Sequence, residues 1–224
     1  MTADRLYVPP AQKKISSQVR NFRDLSKYCE GYIKPRFIFR SSSLIPYQND
    51  SLYKNLKLLD VNSIIDLRSE IEYLRASYND WFLRDIHLYW VHLDISMPDE
   101  VLEKHNLTSL PFYKQFIWYI LHYNQKELRR IFSVLANKKN YSIVIHCHEG
   151  RDRTGIIAAL ILLLLDVPEE NIIQDYLASD MKTQYSDLEF LLAQITDFGG
   201  IREYLKSIYV TEEMQSQIRR ILAP

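Results

Sequence analysis

The sequence predicts an α/β fold with a central, mostly parallel sheet flanked by helices and with a helical C-terminal third. Three observations lead to this prediction. Short apolar runs alternate with longer amphipathic segments over the first two thirds of the chain, which is the order of elements in parallel sheets. The apolar runs are nearly continuous, which indicates strands buried on both faces. Beyond residue 168, the spacing of apolar residues is helical to the end of the chain.

The predicted strands are four short runs rich in β-branched and aromatic residues. They cover residues 36–40, 61–67, 86–93 and 141–145. The predicted helices have apolar side chains three or four residues apart. They cover residues 50–59, 71–76, 112–123, 125–137, 154–165 and 168–179, followed by three further helical patterns. The opening segment to Pro35 is polar and mixed, and residues 98–111 are predicted to form a loop.

Length and composition predict a single domain over residues 1–224, with enough apolar residues for a sizeable core. The formal net charge is zero, so we expect no nucleic-acid partner. Two cysteines are too few for a disulfide framework and indicate a reducing compartment. The first ten residues lack the apolar centre of a signal peptide, so a cytoplasmic location is expected, with signal-less export left open. The most apolar run, Ile156–Leu165, is too short to span a bilayer.

The segment His146–Gly155 joins the last predicted strand to the most apolar helix. A helix N-terminus offers unpaired amides and partial positive charge, and a loop curled there suits a phosphate group. Gly150 permits the sharp turn that such a loop needs. Cys147 would be stabilised as a thiolate, which is a good nucleophile toward phosphorus. Arg153 could fold back to hold two phosphoryl oxygens, which predicts phosphoester hydrolysis through a phosphocysteine with no metal or other cofactor.

A cysteine, five residues, an arginine and a threonine in this order resemble the signature of the protein tyrosine phosphatase superfamily. Four further segments resemble the bacterial-type tyrosine phosphatases, whose loop reads His-Cys-x-x-Gly-Lys-Asp-Arg-Thr-Gly. These segments are Asn21–Leu25, Phe39–Leu44, Ile65–Glu70 and Asp175–Leu177. The resemblance implies a cysteine-phosphatase fold and hydrolysis of phosphotyrosine, with dual specificity included. Arg151 stands where that family usually has lysine, which keeps the charge but changes the geometry of any contact with a second phosphate.

The loop itself is expected to bind the phosphate group. Its phosphate-binding residues are His148, Glu149, Gly150, Arg151, Asp152 and Arg153. Flanking these, His146 is expected to bond to loop backbone and Thr154 to donate its hydroxyl to the thiolate. Two carboxylates compete for the role of general acid. The resemblance favours Asp152, whereas Asp94 follows a predicted strand at the place where the wider superfamily has its acid.

Charged residues near the predicted strand ends are candidates for supporting roles. Asp66 ends a buried strand and needs a partner there, so it would either orient a loop arginine or cap the next helix. Arg68 and Glu70 are expected to pair with each other at the surface. Arg23 and Arg40 would frame the mouth of the site or, as favoured here, tie the N-terminal segment to the sheet.

Residues 98–137 are predicted to be an insertion whose two helices form a lid or wall over the loop, or pack on the core. Its aromatic residues would suit a lid if they are exposed. They are Phe112, Tyr113, Phe116 and Trp118. Neither cysteine is predicted to bind a metal, because His146, Cys147 and His148 are adjacent and seldom converge on one ion. Cys29 has no motif around it and is expected to be inert.

Three functions remain open on the sequence. A phosphatase acting on phosphotyrosine in proteins is the main prediction. A phosphoinositide phosphatase with the same mechanism is the alternative, because Arg151 and His148 could supply the extra positive charge that extra phosphates require. An inactive phosphate-binding module is the third, although Cys147, Asp152 and Arg153 are all present.

Overall fold

The computed structural model describes residues 7–94, 96–179 and 183–224. Within them, five strands form one sheet in the order β1-β2-β5-β3-β4. The strands are β1 (Arg23–Asp24), β2 (Ile38–Ser41), β3 (Ser63–Asp66), β4 (His87–Trp90) and β5 (Ile143–His146). Only the edge pair β1–β2 is antiparallel, and the other three pairs are parallel. The predicted α/β fold with a mostly parallel sheet is therefore confirmed.

Twelve α-helices surround this sheet in the described ranges. They are α1 (Pro10–Ser16), α2 (Asp50–Leu58), α3 (Glu70–Arg75), α4 (Asp80–Leu83), α5 (Asp99–Lys104), α6 (Phe112–Tyr123), α7 (Gln125–Leu135), α8 (Asp152–Leu164), α9 (Glu169–Leu177), α10 (Tyr185–Asp197), α11 (Ile201–Ser207) and α12 (Glu212–Leu222). The last four of them form the predicted helical C-terminal third. None of the described helices is both long and apolar enough to cross a membrane.

Alternating side chains of the strands build two apolar layers, one on each face of the sheet. In β5, Ile143 and Ile145 belong to a large core shared with α6, α7, α8 and the C-terminal helices. Val144 points to a smaller core formed with α1, α2 and α4. The two-residue period of a strand produces this division, and burial on both faces explains the continuous apolar runs.

The sheet places the loop at the carboxyl ends of its central strands. Ser41 of β2 and Asp66 of β3 both lie opposite His146, the last residue of β5. The chain then turns through residues 147–151 into α8, a helix buried around most of its circumference. In open parallel sheets, ligands bind outside these carboxyl ends, next to helix N-termini.

The α-helices and strands differ from the prediction in four places, and two of these, β1 (Arg23–Asp24) and α4 (Asp80–Leu83), are short elements that were not predicted. Helix α5 lies inside residues 98–111, which were predicted to be a loop, and Asp99 and Glu100 in its first turn favour that helix start. Helix α1 lies in the N-terminal segment that had been described only as polar and mixed. Its Ile15 is buried in the smaller core, and this contact holds α1 against the sheet although most of its neighbours in the sequence are polar.

Candidate active site

The backbone carbonyls of residues 148–150 each accept a hydrogen bond from a part of the chain outside the loop. The Ser43 amide donates to the His148 carbonyl at 2.9 Å. The Asn21 side-chain amide donates to the Glu149 carbonyl at 2.8 Å, and Arg40 Nη2 donates to the Gly150 carbonyl at 3.0 Å. With these carbonyls fixed on the outside, the loop amides face its centre.

Those inward amides form a concave donor site around Cys147. The Gly150 amide donates to Cys147 Sγ at 3.2 Å. Among the described residues, the amides of His148, Glu149 and Arg151 have no hydrogen-bond partner. Cys147 is 2% exposed, so the sulfur lies at the bottom of the depression rather than at its rim. Such a ring of amides at a helix N-terminus is suited to hold a thiolate and an oxyanion together.

Gly150 is required in this loop for two separate reasons. Its φ angle is +70°, in the left-handed region that glycine adopts without strain. A Cβ atom at this position would also lie 2.2 Å from the Ser41 carbonyl oxygen and 2.4 Å from the Ser42 nitrogen. Since both neighbours are backbone atoms at the end of β2, neither could move without displacing the strand.

His146 supports the loop from below, inside the protein. Burial lowers the pKa of His146, and the negative charge of Asp66 only partly offsets this effect. The imidazole ring is therefore neutral. The contact of Nδ1 with the Cys147 carbonyl, at 2.9 Å, makes Nδ1 the donor, because a carbonyl only accepts. Nε2 is then the acceptor for the Tyr78 hydroxyl at 2.7 Å. Tyr78, which the sequence analysis did not identify, thus stabilises this tautomer of His146 next to Cys147.

Asp66 has a different partner from the predicted loop arginine. Its carboxylate binds the Arg68 guanidinium, with Oδ2 2.8 Å from Nη2 and both oxygens 3.0 Å from Nε. Both side chains are buried, so the predicted surface pair of Arg68 with Glu70 is wrong. A buried carboxylate needs a cation, and Arg68, two residues along the same chain, is the nearest one available.

Arg153 is held by Glu72, a residue that the sequence analysis missed. The Glu72 carboxylate accepts from Arg153 Nη1 at 2.6 Å and from Nη2 at 2.9 Å. Burial opposes the charge of Glu72, but the hydrogen bond with Arg153 lowers the pKa of Glu72 to about 2. No described residue accepts a hydrogen bond from Arg153 Nε. The Nε edge of the guanidinium is therefore available to a phosphoryl group.

Glu72 also closes the first turn of α3. The Ser69 side chain accepts from the Glu72 amide, and Glu72 Oε2 accepts from the Ser69 amide at 2.8 Å, which is a capping box. The Ser-x-x-Glu spacing was visible in the sequence. It would have placed a carboxylate at a helix start directly after β3, on the edge of the sheet where the loop lies.

Arg23 and Arg40 meet on one buried carboxylate, that of Asp175 in α9. Arg23 Nε donates to Asp175 Oδ1 at 2.8 Å, and Arg40 Nη1 donates to Oδ2. Burial works against the charge of Asp175, but the two arginines lower its pKa. The network joins β1, β2 and α9, and through Arg40 it reaches the Gly150 carbonyl. Both arginines thus lie inside the protein behind the loop.

Arg151 and Asp152 form an ion pair at the start of α8. Arg151 Nε is 2.7 Å from Asp152 Oδ1, and Nη2 is 3.0 Å from Oδ2. Nη2 also donates to the hydroxyl of Tyr113, in the first turn of α6. The hydrogen bond with Asp152 raises the pKa of Arg151, although burial opposes that rise. The guanidinium therefore stays charged. The Asp152 carboxylate lies where the loop passes into α8.

Two predicted site residues, Asp94 and Thr154, make no hydrogen bond to Cys147. Asp94 Oδ1 accepts from the Ser96 amide, and the Asp94 amide donates to Asn124, just beyond the far end of α6 from Tyr113. The Thr154 hydroxyl is buried but makes no hydrogen bond to Cys147 or to any other described residue. The remaining loop side chains, His148 and Glu149, lie on the outer rim, with His148 Nε2 3.5 Å from Glu149 Oε1.

The segment 98–137 contacts the loop through the first turn of α6. Beyond Tyr113, the helix turns its apolar side into the large core, and Phe116 is buried there, which agrees with packing on the core, the alternative to a lid. Phe112 remains exposed at the start of the helix.

Cys29 is buried, and burial together with the Asp175 charge raises the pKa of its thiol to about 12. No group of three or more metal-binding side chains occurs within residues 7–94, 96–179 and 183–224.

Glu72→Gln is expected to lower kcat on an aryl phosphate roughly 10- to 100-fold with a small change in KM, because Arg153 loses the carboxylate that orients it. Glu70→Gln, on the exposed side of the same helix turn, is the matched control and should retain the wild-type rate. Steady-state kinetics of the three proteins make the comparison. Equal rates for Glu72→Gln and Glu70→Gln would show that Arg153 needs no such support.

The same ion pair has a predictable pH dependence. The folded-state pKa of Glu72 is lowered from 4.5 to about 2, so its contribution to stability is present above pH 4.5 and is lost as the pH falls toward 2. The difference in unfolding free energy between the wild type and Glu72→Gln should therefore shrink over that interval. Denaturant unfolding of both proteins at about pH 6, 4 and 3 measures this difference in unfolding free energy.

Comparison with known proteins identifies relatives of this chain. A model of the tyrosine phosphatase family matches residues 15–196. A tyrosine-protein phosphatase of Nostoc commune is 26% identical over 199 residues, covering 73% of this chain and 67% of the relative. The triple specificity protein phosphatase PtpB of Mycobacterium tuberculosis is 28% identical over 191 residues, covering 71% of this chain and 66% of the relative. The chain thus spans about two thirds of the length of these relatives.

Proposed function

Because this chain belongs to the tyrosine phosphatase family, we propose that it hydrolyses phosphotyrosine in proteins through a phosphocysteine intermediate. The observation that carries the proposal is the loop, in which Cys147 Sγ lies among inward-facing amides with Arg153 beside it. These groups can bind the three non-bridging oxygens of a phosphate ester while the sulfur faces the phosphorus atom. Such an arrangement stabilises the charge of the transition state as well as the bound ester.

In the first step, the Cys147 thiolate forms a bond to phosphorus while the bond from phosphorus to the tyrosine oxygen breaks. Asp152 would donate a proton to that leaving oxygen. In the second step, Asp152 would accept a proton from the attacking water, and the thiolate leaves as inorganic phosphate forms. Arg153 would bind two phosphoryl oxygens through its free Nε edge in both steps.

The depth of the nucleophile supports phosphotyrosine over shorter phosphorylated side chains. Since Cys147 is 2% exposed, the phosphorus atom must descend into the depression to reach the sulfur. The ring of tyrosine extends its phosphate far from the peptide backbone, whereas serine and threonine hold theirs close to it. Because the mycobacterial relative is named a triple specificity protein phosphatase, the preference among phosphorylated side chains is compared directly.

The test is phosphate release by the wild-type protein from two peptides that differ only in carrying phosphotyrosine or phosphoserine. We expect turnover of the phosphotyrosine peptide with a higher kcat/KM. Tight binding of the peptide without any phosphate release would instead establish the phosphate-binding module. Turnover of the phosphoserine peptide alone would contradict the proposed substrate.

Asp152→Asn is expected to lower kcat on phenyl phosphate by about 100-fold or more, because the poor leaving group needs a proton. The loss should be much smaller on nitrophenyl phosphate, whose leaving group is stable without one. Asp94→Asn should behave as the wild type on both esters, because Asp94 lies beyond the far end of α6. If Asp94→Asn shows the leaving-group dependence and Asp152→Asn does not, the acid has been assigned to the wrong carboxylate.

A further inference from the structure

Arg151 is part of the phosphate-binding loop, yet its guanidinium is turned away from the loop centre. Its side chain is only 11% exposed. The Nε–Nη2 edge is occupied by the Asp152 carboxylate, and Nη2 is shared with the Tyr113 hydroxyl. The guanidinium carbon lies 5.2 Å from the centre of the Tyr113 ring, within range of a cation–π contact. Tyr113, Arg151 and Asp152 are called the Tyr113 triad below.

The triad depends on arginine rather than on any basic residue. A planar guanidinium presents two parallel N–H groups to a carboxylate and still has further donors for a hydroxyl. An ammonium group is a point charge on a flexible stem and would not be fixed by both partners in this way. Arg151 is also the loop position at which this sequence departs from the lysine usual in the bacterial-type phosphatases that it resembles.

The triad neutralises the loop on the side of α6. Asp152 compensates the charge of Arg151 at hydrogen-bond distance. The next cation on α6, Lys114, lies 5.8 Å from the centre of the Phe190 ring. Burial raises the pKa of Asp187, in the first turn of α10, and the charges of Lys114 and Arg151 oppose that rise. The Nη1–Nη2 edge is the other two-donor edge of Arg151, and Tyr113 already accepts from its Nη2, so a second phosphate has to displace either Asp152 or Tyr113 to bind Arg151 with two donors.

We propose that Tyr113 determines substrate specificity by holding Arg151 on Asp152, so that the site favours esters with one phosphate over headgroups with several. The proposal rests on the proposed phosphatase activity and concerns the same site. A second phosphate can bind two donors of Arg151 only if the guanidinium leaves Asp152 or Tyr113. The hydrogen bond and the ring contact of Tyr113 both oppose that movement. Tyr113 therefore adds a cost to polyphosphorylated substrates that phosphotyrosine does not meet.

The experiment measures kcat/KM for a phosphotyrosine peptide and for a short-chain phosphatidylinositol bisphosphate, and takes the ratio. Both substrates need the same nucleophile and acid, but the inositol leaving group depends more on the acid than tyrosine does. A short-chain phosphatidylinositol monophosphate, whose leaving group matches that of the bisphosphate, is therefore measured as well, because an effect on the acid alone shifts both lipids equally. The wild type should favour the peptide. Tyr113→Phe, which keeps the ring and removes the hydroxyl, should shift the ratio toward the bisphosphate by roughly 3- to 10-fold, the value of one such hydrogen bond.

Tyr119→Phe is the matched control, since Tyr119 lies on the same helix and its ring stacks on Tyr123 rather than on the loop. It should leave the ratio unchanged. Arg151→Lys provides a second route to the same result, because it removes the planar group that Asp152 and Tyr113 hold together. It should shift the ratio in the same direction even if Tyr113→Phe folds poorly in a thermal melt.

Three outcomes would overturn the inference. They are a wild-type preference for the bisphosphate, an unchanged ratio in both Tyr113→Phe and Arg151→Lys, and an equal shift in Tyr119→Phe. A wild-type protein that releases phosphate from neither substrate would instead overturn the proposed phosphatase activity. The two failures are therefore distinguishable from the wild-type measurements alone.

Discussion

Cys147→Ser should lower the rate of aryl phosphate hydrolysis by a factor on the order of 10⁴ or more, with the substrate still bound. The Gly150 amide donates to the Cys147 sulfur, and in the proposed mechanism that sulfur attacks phosphorus, whereas a serine hydroxyl at the same place is a weak nucleophile. The variant keeps the volume and the position of the side chain, so its fold should be retained. Initial rates on nitrophenyl phosphate, with binding of a phosphotyrosine peptide measured by calorimetry, test both parts.

Cys29→Ser is the control for this experiment. Both cysteines are buried, but the Cys29 thiol has its pKa raised to about 12 and lies in the core away from the loop amides. The variant should lose some stability, because a hydroxyl replaces a thiol in an apolar setting, and should keep its rate per folded molecule. Equal activity of Cys147→Ser and the wild type would rule out the proposed nucleophile.

Arg153→Lys has the second largest expected effect, a loss of kcat on the order of 10³. Lysine keeps the charge, but its three donors cannot bind Glu72 twice and two phosphoryl oxygens at once. Because the charge remains, KM should change much less than kcat. Steady-state kinetics on nitrophenyl phosphate separate the two constants.

Arg75→Lys is the matched control for Arg153→Lys. Arg75 ends the same helix that carries Glu72, but it is exposed and makes no hydrogen bond to a residue in the described ranges. Its replacement by lysine should leave both constants near their wild-type values. If Arg153→Lys keeps most of the wild-type kcat, the charge alone is sufficient and the two-donor geometry is unimportant.

The chemistry of the loop could be predicted because its parts are neighbours in the sequence. Cys147, Gly150 and Arg153 lie within seven consecutive residues, between a strand and a helix that apolar spacing locates. Residues this close in the sequence lie in the same loop whatever the rest of the fold is. The sheet was predictable for a similar reason, since burial on both faces leaves continuous apolar runs in the sequence.

The support of the loop could not be predicted, because its contacts join residues far apart in the chain. Asn21 is 128 residues from Glu149, and Arg40 is 110 residues from Gly150. The sequence marked both segments as resembling a known family but gave them no partner. Only the packing of β1 and β2 beside β5 shows that each of them binds a loop carbonyl.

Two charged residues near the loop were not predicted correctly, since the position of Arg68 was wrong and the role of Glu72 was missed. Arg68 was expected at the surface because arginine is seldom buried, yet it is 2% exposed and neutralises Asp66. Glu72 lies two residues beyond the segment that resembled the family, so its contact with Arg153 went unnoticed. The Arg68–Asp66 pair is buried and the Arg153–Glu72 pair is partly buried, and both lie next to the loop.

The most direct test of the phosphocysteine mechanism is the detection of the intermediate itself. Wild-type protein mixed with an aryl phosphate, quenched in acid within one turnover and digested, should yield the peptide containing Cys147 with the added mass of one phosphoryl group. Asp152→Asn should increase the trapped fraction if loss of the base slows hydrolysis of the intermediate more than loss of the acid slows its formation. Steady release of phosphate with an unmodified Cys147 peptide at every quench time, or with the phosphoryl group on another residue, would contradict the account.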